Sequence, residues 1–193
     1  MKRIHILLSF VFLAFVVSSH ATTAFQARDI AKREVNDQAK DKLIEIYGAK
    51  SSISVTPSEW QVLFYDPYAK QDGRLMRVAN GGVVAIEQGY TRLDEFRLAA
   101  YKLEEVINPK LLKIDSNKVL EALSRSTPLR RFKVSAMEMR LRKPDKGDVP
   151  PVWTVTIFSV NARTRKEVEL GTARVSAATG QIFELEIDTK KME

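Results

Sequence analysis

An α+β fold of two tandem helix-plus-antiparallel-sheet units behind an export signal is what this sequence predicts, and three observations lead there. Short runs rich in aromatic and β-branched residues alternate with turn signals such as Asn80-Gly81-Gly82 and Ala178-Thr179-Gly180, the pattern of antiparallel hairpins. Ahead of these runs, apolar residues fall at helical spacing around Ile30 and again around Val119. The strand pattern that begins at Trp60 returns at Trp153, as a repeated unit would.

The chain opens with basic Met1-Lys2-Arg3-Ile4-His5, continues through 12 residues from Ile6 to Val17 interrupted only by Ser9, and reaches Ser18-Ser19-His20-Ala21. These are the three parts of a signal peptide, expected to span residues 1–21 with cleavage after Ala21. A membrane-spanning helix needs roughly 18 or more consecutive apolar residues. A cleaved leader therefore explains the stretch better than an uncleaved anchor, and no stable transmembrane anchor is expected. No cysteine follows it to carry a thioether-linked lipid. The mature chain is expected to be periplasmic or secreted.

Removal of the leader leaves 172 of the 193 residues, enough for one ordinary domain or two small ones with a common interface. There is no cysteine, so stability rests on packing and hydrogen bonds even in a compartment that permits disulfides. Both histidines, His5 and His20, lie in the leader. A mature chain without imidazole or thiolate lacks the usual zinc ligands, a Ser-His-Asp triad and a cysteine nucleophile. The common serine-hydrolase and nucleotide-binding signatures do not occur either. The expectation is a protein with no catalytic residues, no metal and no cofactor. Charge is uneven: residues 22–108 carry 12 basic and 13 acidic side chains, residues 109–193 carry 17 and 11. A basic half can attract an acidic protein surface, an anionic lipid or a polyanionic wall polymer, although such a face also serves solubility alone.

In chain order, Ile30, Val35, Ala39, Leu43, Ile46 and Tyr47 approximate one stripe and predict a helix over Asp29–Tyr47, stopped by Gly48. Trp60–Tyr65, Arg74–Ala79 and Val83–Glu87 read as strands, the first broken by Asp66-Pro67 and the last two joined by Asn80-Gly81-Gly82. Leu93, Phe96, Ala100, Leu103 and Ile107 predict a further helix ended by Asn108-Pro109, with a short extended stretch through Phe96 and Leu98 as the competing reading. Asp115 or Ser116 then caps a helix through Val119, Leu120, Ala122 and Leu123. Phe132 and Val134 alternate in one phase and Met137, Met139 and Leu141 in the other, so a β-bulge is expected near Ser135 and Ala136. A polar turn spans Lys143–Pro151, strands follow at Val152–Val160, Val168–Ala177 and Gln181–Ile187, and Phe183, Leu185 and Ile187 are expected on one face.

Anchored on the tryptophans, Trp60-x-Val62 matches Trp153-x-Val155, and Val78, Gly82 and Val84 match Val175, Gly180 and Ile182. The second copy resembles the PepSY family, small exported bacterial modules in which a helix packs across an antiparallel sheet in a cystatin-like arrangement. Asp115 to Leu123, Trp153-Thr154-Val155 and Ala173 to Ile182 carry the resemblance. Ala177 stands where members often have aspartate. The implied organisation is a first unit at 22–90, a helical linker at 91–113 and a second unit at 114–193. The implied role is noncatalytic binding of an envelope or secreted protein, with a peptidase as one candidate, and the resemblance brings no binding residue with it.

Three groups remain as candidate sites. Asp94-Glu95 and Glu104-Glu105 could supply the two carboxylates of a glycosidase, but adjacent residues on a helix point in different directions. Trp60 and Trp153 could bind a sugar or peptide, yet matched positions at the start of apolar strands fit a core better. Arg130, Arg131, Lys133, Arg140, Arg142, Lys143, Arg163, Arg165 and Lys166 would form a basic binding patch if their strands were neighbours. Nucleic acid is not expected as its partner, because no recognised nucleic-acid motif surrounds these residues and an exported protein seldom meets it. An anionic surface remains open.

Overall fold

The computed structural model describes residues 22–88, 100–144 and 150–192. The expected leader, part of the expected linker helix and part of the Lys143–Pro151 turn lie outside them. Eight strands form one antiparallel sheet: β1 (Leu43–Gly48), β2 (Glu59–Tyr65), β3 (Gly73–Ala79), β4 (Gly82–Gln88), β5 (Val134–Arg142), β6 (Val152–Val160), β7 (Glu167–Ser176) and β8 (Ile182–Ile187). Their order is β4-β3-β2-β1-β5-β6-β7-β8. Each set of four hairpin-connected strands is preceded by one helix, α1 (Ala24–Ala31) or α2 (Ser116–Ser124), and the two sets meet where β1 pairs with β5. The chain is therefore α+β.

Both helices contribute to one apolar layer on one face of the sheet. Ala24, Ala27 and Ala31 of α1 and Val119 and Leu123 of α2 are buried there with Trp60, Val62, Phe64, Met76, Val78, Met139, Leu141, Trp153, Val155 and Val175. The strand residues alternate along the chain, as one face of a pleated sheet requires. Three alanines on its buried stripe let α1 lie close to the strands. Thr23 starts that helix with a capping box, its hydroxyl accepting from the Gln26 amide while the Gln26 side chain accepts from the Thr23 amide. Asp115 starts α2 and also reaches α1: its carboxylate accepts from the amides of Ser116 at 2.6 Å and Phe25 at 3.0 Å. The Ser116 hydroxyl accepts from the Ala24 amide at 3.1 Å. The start of α2 thus satisfies two of the orphan amides at the start of α1.

The tryptophans occupy matching places. Trp60 in β2 and Trp153 in β6 are both 0% exposed. The Trp60 indole donates to the Thr22 carbonyl at 2.7 Å and that of Trp153 to the Ile114 carbonyl at 2.8 Å, each acceptor lying two residues ahead of a helix. Trp60 pairs across the ladder with Val78, and Trp153 with Val175. One detail of the expected repeat shifts by a residue. Val78 pairs with Val83 and Val175 with Ile182, so Val83, and not Val84, corresponds to Ile182. Both hairpins carry an irregularity at this point, which leaves Val84 and Phe183 about half exposed, at 56% and 49%. Phe183 accordingly does not share the buried face of Leu185 and Ile187, which pack on the core.

Two helix expectations need correction. The Asp29–Tyr47 helix stops at Ala31, and Leu43–Gly48 is strand β1. This strand is hydrogen-bonded to β2 and β5 and buried on both faces, so it has no polar side to reveal a period of two. Ile44, which the helical stripe omits, is buried on the face away from the helices. The second expected helix falls partly outside the described residues, as does the competing extended stretch through Phe96 and Leu98. Ala100–Ile107 is extended except for one 3-10 turn at Leu103–Glu105. This segment covers the second face of β1, β2 and β3: Tyr101, with Val106 beside it, packs on Ile44, Leu63 and Leu75. Gly73 permits that contact, because a Cβ there would sit 2.6 Å from the Tyr101 ring. The bulge expected near Ser135 is present as a register shift between Val134 and Ala136.

Candidate functional site

The basic residues are divided between two ends of the sheet. Lys133 precedes β5, and its carbonyl accepts from the Ser159 hydroxyl at 2.9 Å. Arg163, Arg165 and Lys166 lie in the connection from β6 to β7 at that same end, where Val160 pairs with Glu167. Arg130 and Arg131 belong to a 3-10 turn, Leu129–Arg131, on the way from α2 to β5. Arg140, Arg142 and Lys143 stand toward the other end of β5, roughly 23 to 33 Å along the chain from Lys133 at about 3.3 Å per residue. Nine cations therefore do not make one patch.

Arg140 and Arg142 have a local purpose at the joint between β1 and β5. Glu45 is 3% exposed, and its carboxylate lies 3.0 Å from Arg142 Nε and 3.7 Å from Arg140 Nε. The Arg140 guanidinium also lies 5.6 Å from the centroid of the Tyr47 ring. A buried carboxylate must be paired, and here the pair fixes which residues of the two strands face each other. Lys143 reaches the Glu104 carbonyl at 2.8 Å and ties the covering segment to β5. The basic residues of one strand thus hold the fold together.

A second set of polar residues, missed in the sequence, sits where the second strand of each set turns toward the third. Asp66 follows β2 and Asn161 follows β6, at 0% and 4% exposure. Each accepts with its side chain from the amide two residues on: Tyr68 at 3.0 Å, and Arg163 at 2.9 Å. The Asp66 amide donates to the Asp72 carbonyl and the Asn161 amide to the Lys166 carbonyl. Their outer partners differ. Asp66 accepts from Arg74 Nε at 2.6 Å and from Asn36 at 3.1 Å, which holds down the loop after α1. Asn161 donates to the Lys191 carbonyl at 3.0 Å and so holds the C-terminal turn. Burial alone pushes the Asp66 carboxyl upward, but Arg74, the Tyr68 amide and Asn36 together outweigh it and hold the group below its ordinary value of 3.8. An Asp or Asn just past an apolar strand is the signal that could have found both residues.

An open groove of about 420 Å³ lies between the α2–β5 loop and β8. Pro128, Phe132, Leu185 and Ile187 form its apolar walls, Arg131 and Thr127 its polar lip, and Thr189 closes one end. Among the described residues no carboxylate pairs with Arg131. A depression of about 410 Å³ near the same edge gathers Glu169, Glu186 and Asp188 with Lys191; all three carboxylates are exposed.

The other candidates take structural places. Both tryptophans are inside. Glu104 and Glu105 lie in the 3-10 turn of the covering segment, and Asp94 and Glu95 are outside the described residues. Comparisons with protein family models, with curated proteins and with solved structures returned no match. The groove beside β8 offers apolar contact, a guanidinium without a carboxylate partner among the described residues, and two hydroxyls.

Proposed function

We propose that this is an exported, noncatalytic binding module of the bacterial envelope, built of two PepSY-like units, and that it binds another envelope or secreted protein, a peptidase among the candidates. The observation that carries the reading is the groove beside β8. Its lining can hold apolar and anionic groups, while neither Thr127 nor Thr189 has a neighbouring base in that lining to make it a nucleophile. The matched indole-to-carbonyl bonds support two units of one design. Export with cleavage after Ala21 suits the fold as well, since the cut leaves Thr22 to accept from Trp60 and Thr23 to cap α1. The test is affinity capture from a periplasmic extract by the exported protein. Specific recovery of an envelope protein is the expected result, and recovery of none at low salt counts against the proposal.

The gathered carboxylates of Glu169, Glu186 and Asp188 favour a second reading, a glycoside hydrolase acting on cell-wall sugar. Such an enzyme needs one carboxyl kept protonated by removal from water, and these three are exposed. Release of reducing sugar from purified cell wall, abolished by Glu186→Gln, would establish it. A third reading, association with anionic surfaces through the basic half, is weakened by the division of those residues and is tested by vesicle binding at low and high salt.

A further inference from the structure

We propose that the outer edge of β8 and the groove beside it dock an extended peptide segment of the partner, one whose alternate residues are acidic or apolar. The inference rests on the binding-module reading and adds to it a place and a recognition chemistry.

The backbone supplies the first argument. β8 is the last strand of the sheet and pairs only with β7 among the described residues. The Asp188 amide donates toward β7, to the Leu170 carbonyl at 2.8 Å. Backbone groups alternate sides along an antiparallel strand, so Leu185 and Ile187 direct theirs outward. An added strand can hydrogen-bond to both residues, the mode in which main-chain bonds give affinity and alternate side chains give specificity. Proteins usually blunt such an edge with charge or a bulge. Here the charges of Glu184 and Glu186 alternate with Leu185 and Ile187 and stay off the groove side, the irregularity lies at the hairpin end, between Arg174 and Val175, and the pairs from Arg174↔Glu184 to Gly171↔Ile187 are regular.

Charge supplies the second argument. Side chains of the added strand that turn toward the helices would enter the groove, between the apolar walls of Phe132, Leu185 and Ile187 and the unpaired Arg131. Acidic or apolar residues fit that side. Those turning to the opposite side would meet Glu184 and Glu186 of β8, where basic or neutral residues fit. The first four strands have a longer loop after their helix, with Ala39 buried and Val35 packed on the core, held down through Asn36 and Asp66.

The test measures the exported protein against a fluorescent nonapeptide whose odd positions are valine or glutamate and whose even positions are lysine or threonine. Saturable binding is expected, weakened at least tenfold by N-methylation of the pairing amides and about tenfold by Arg131→Glu, an exposed change that leaves unfolding unaltered. Exchanging glutamate for lysine in the peptide should restore binding to Arg131→Glu. The proposal is overturned by no saturation, by indifference to N-methylation, or by binding of dodecanoate in place of the peptide. A partner captured equally by wild type and Arg131→Glu rejects this site and keeps the binding-module reading, whereas capture by neither rejects that reading itself.

Discussion

Replacing each tryptophan by phenylalanine tests whether the two halves of the sheet are built alike. The indoles are both fully buried and each satisfies one carbonyl, at 2.7 and 2.8 Å. Trp60→Phe and Trp153→Phe each remove one such bond and leave a partly buried acceptor, a loss of about 1 to 1.5 kcal/mol. The missing ring atoms add a partly collapsed cavity, roughly 1 to 2 kcal/mol when scaled from full truncations of buried aromatic side chains. Each variant should therefore lose about 2 to 3.5 kcal/mol, which at roughly 2 to 4 °C per kcal/mol for a chain of this size lowers the midpoint by about 4 to 14 °C. Circular dichroism melts, with urea titrations for the free energies, read this directly. A single transition is expected because the two helices and both strand sets share one apolar layer. The reasoning fails if one substitution costs several kcal/mol and the other almost nothing, or if either variant melts in two steps.

Glu45→Gln keeps the shape at the β1–β5 joint but leaves Arg140 and Arg142 without their buried counter-charge, so a loss of about 3 kcal/mol in urea unfolding is expected. A loss below about 0.5 kcal/mol would show that the guanidinium groups simply turn to solvent. Asp66 makes stability depend on acid. Its folded carboxyl is held below the ordinary 3.8, so its contribution is complete above about pH 4 and disappears as pH falls through the lower folded value. Asp66→Asn should be less stable at neutral pH and less sensitive to acid below pH 4, and equal acid sensitivity in both proteins would reject that assignment. Gly171→Ala would place a Cβ 1.9 Å from the Glu186 carbonyl oxygen in the facing strand. Hydrogen exchange should then show faster exchange confined to β8 and the end of β7, with a stability loss of roughly 2 to 4 kcal/mol, whereas unchanged protection would contradict the close approach.

How far the sequence could be read depended on whether neighbours in space were also neighbours in the chain. The strand Val152–Val160 was legible because its alternate residues face a core and a polar surface. The phase change between Val134 and Met137 announced the bulge, since only an inserted residue returns both runs to one face. β1 was hidden for the opposite reason. Its partners β2 and β5 lie on both sides, the second of them some ninety residues later, and a strand buried on both faces has no alternation to show. The charged residues were harder still. Nothing local separates Arg142, spent on Glu45, from Arg131, which has no carboxylate partner among the described residues, because the difference lies in which strand stands alongside. The groove joins Phe132 to Leu185 through tertiary packing alone.

Near-identical construction makes the few differences between the halves informative. Asp66 and Asn161 perform the same backbone task after the second strand, but only Asp66 carries a charge and recruits Arg74 and Asn36. The charge draws the loop after α1 down to the sheet, and the first half is further closed on its other face by Tyr101. Asn161, being neutral, can donate as well as accept, and it uses the donor on the carbonyl of Lys191. The C-terminal turn is thereby held beside β7 and β8, where Thr189 ends the groove. One change from carboxylate to amide thus accompanies the exchange of a closed corner for an open one. Among the described residues β4 and β8 are both edge strands, and what sets the second half apart is the shaped apolar recess beside its edge, the place proposed for a partner.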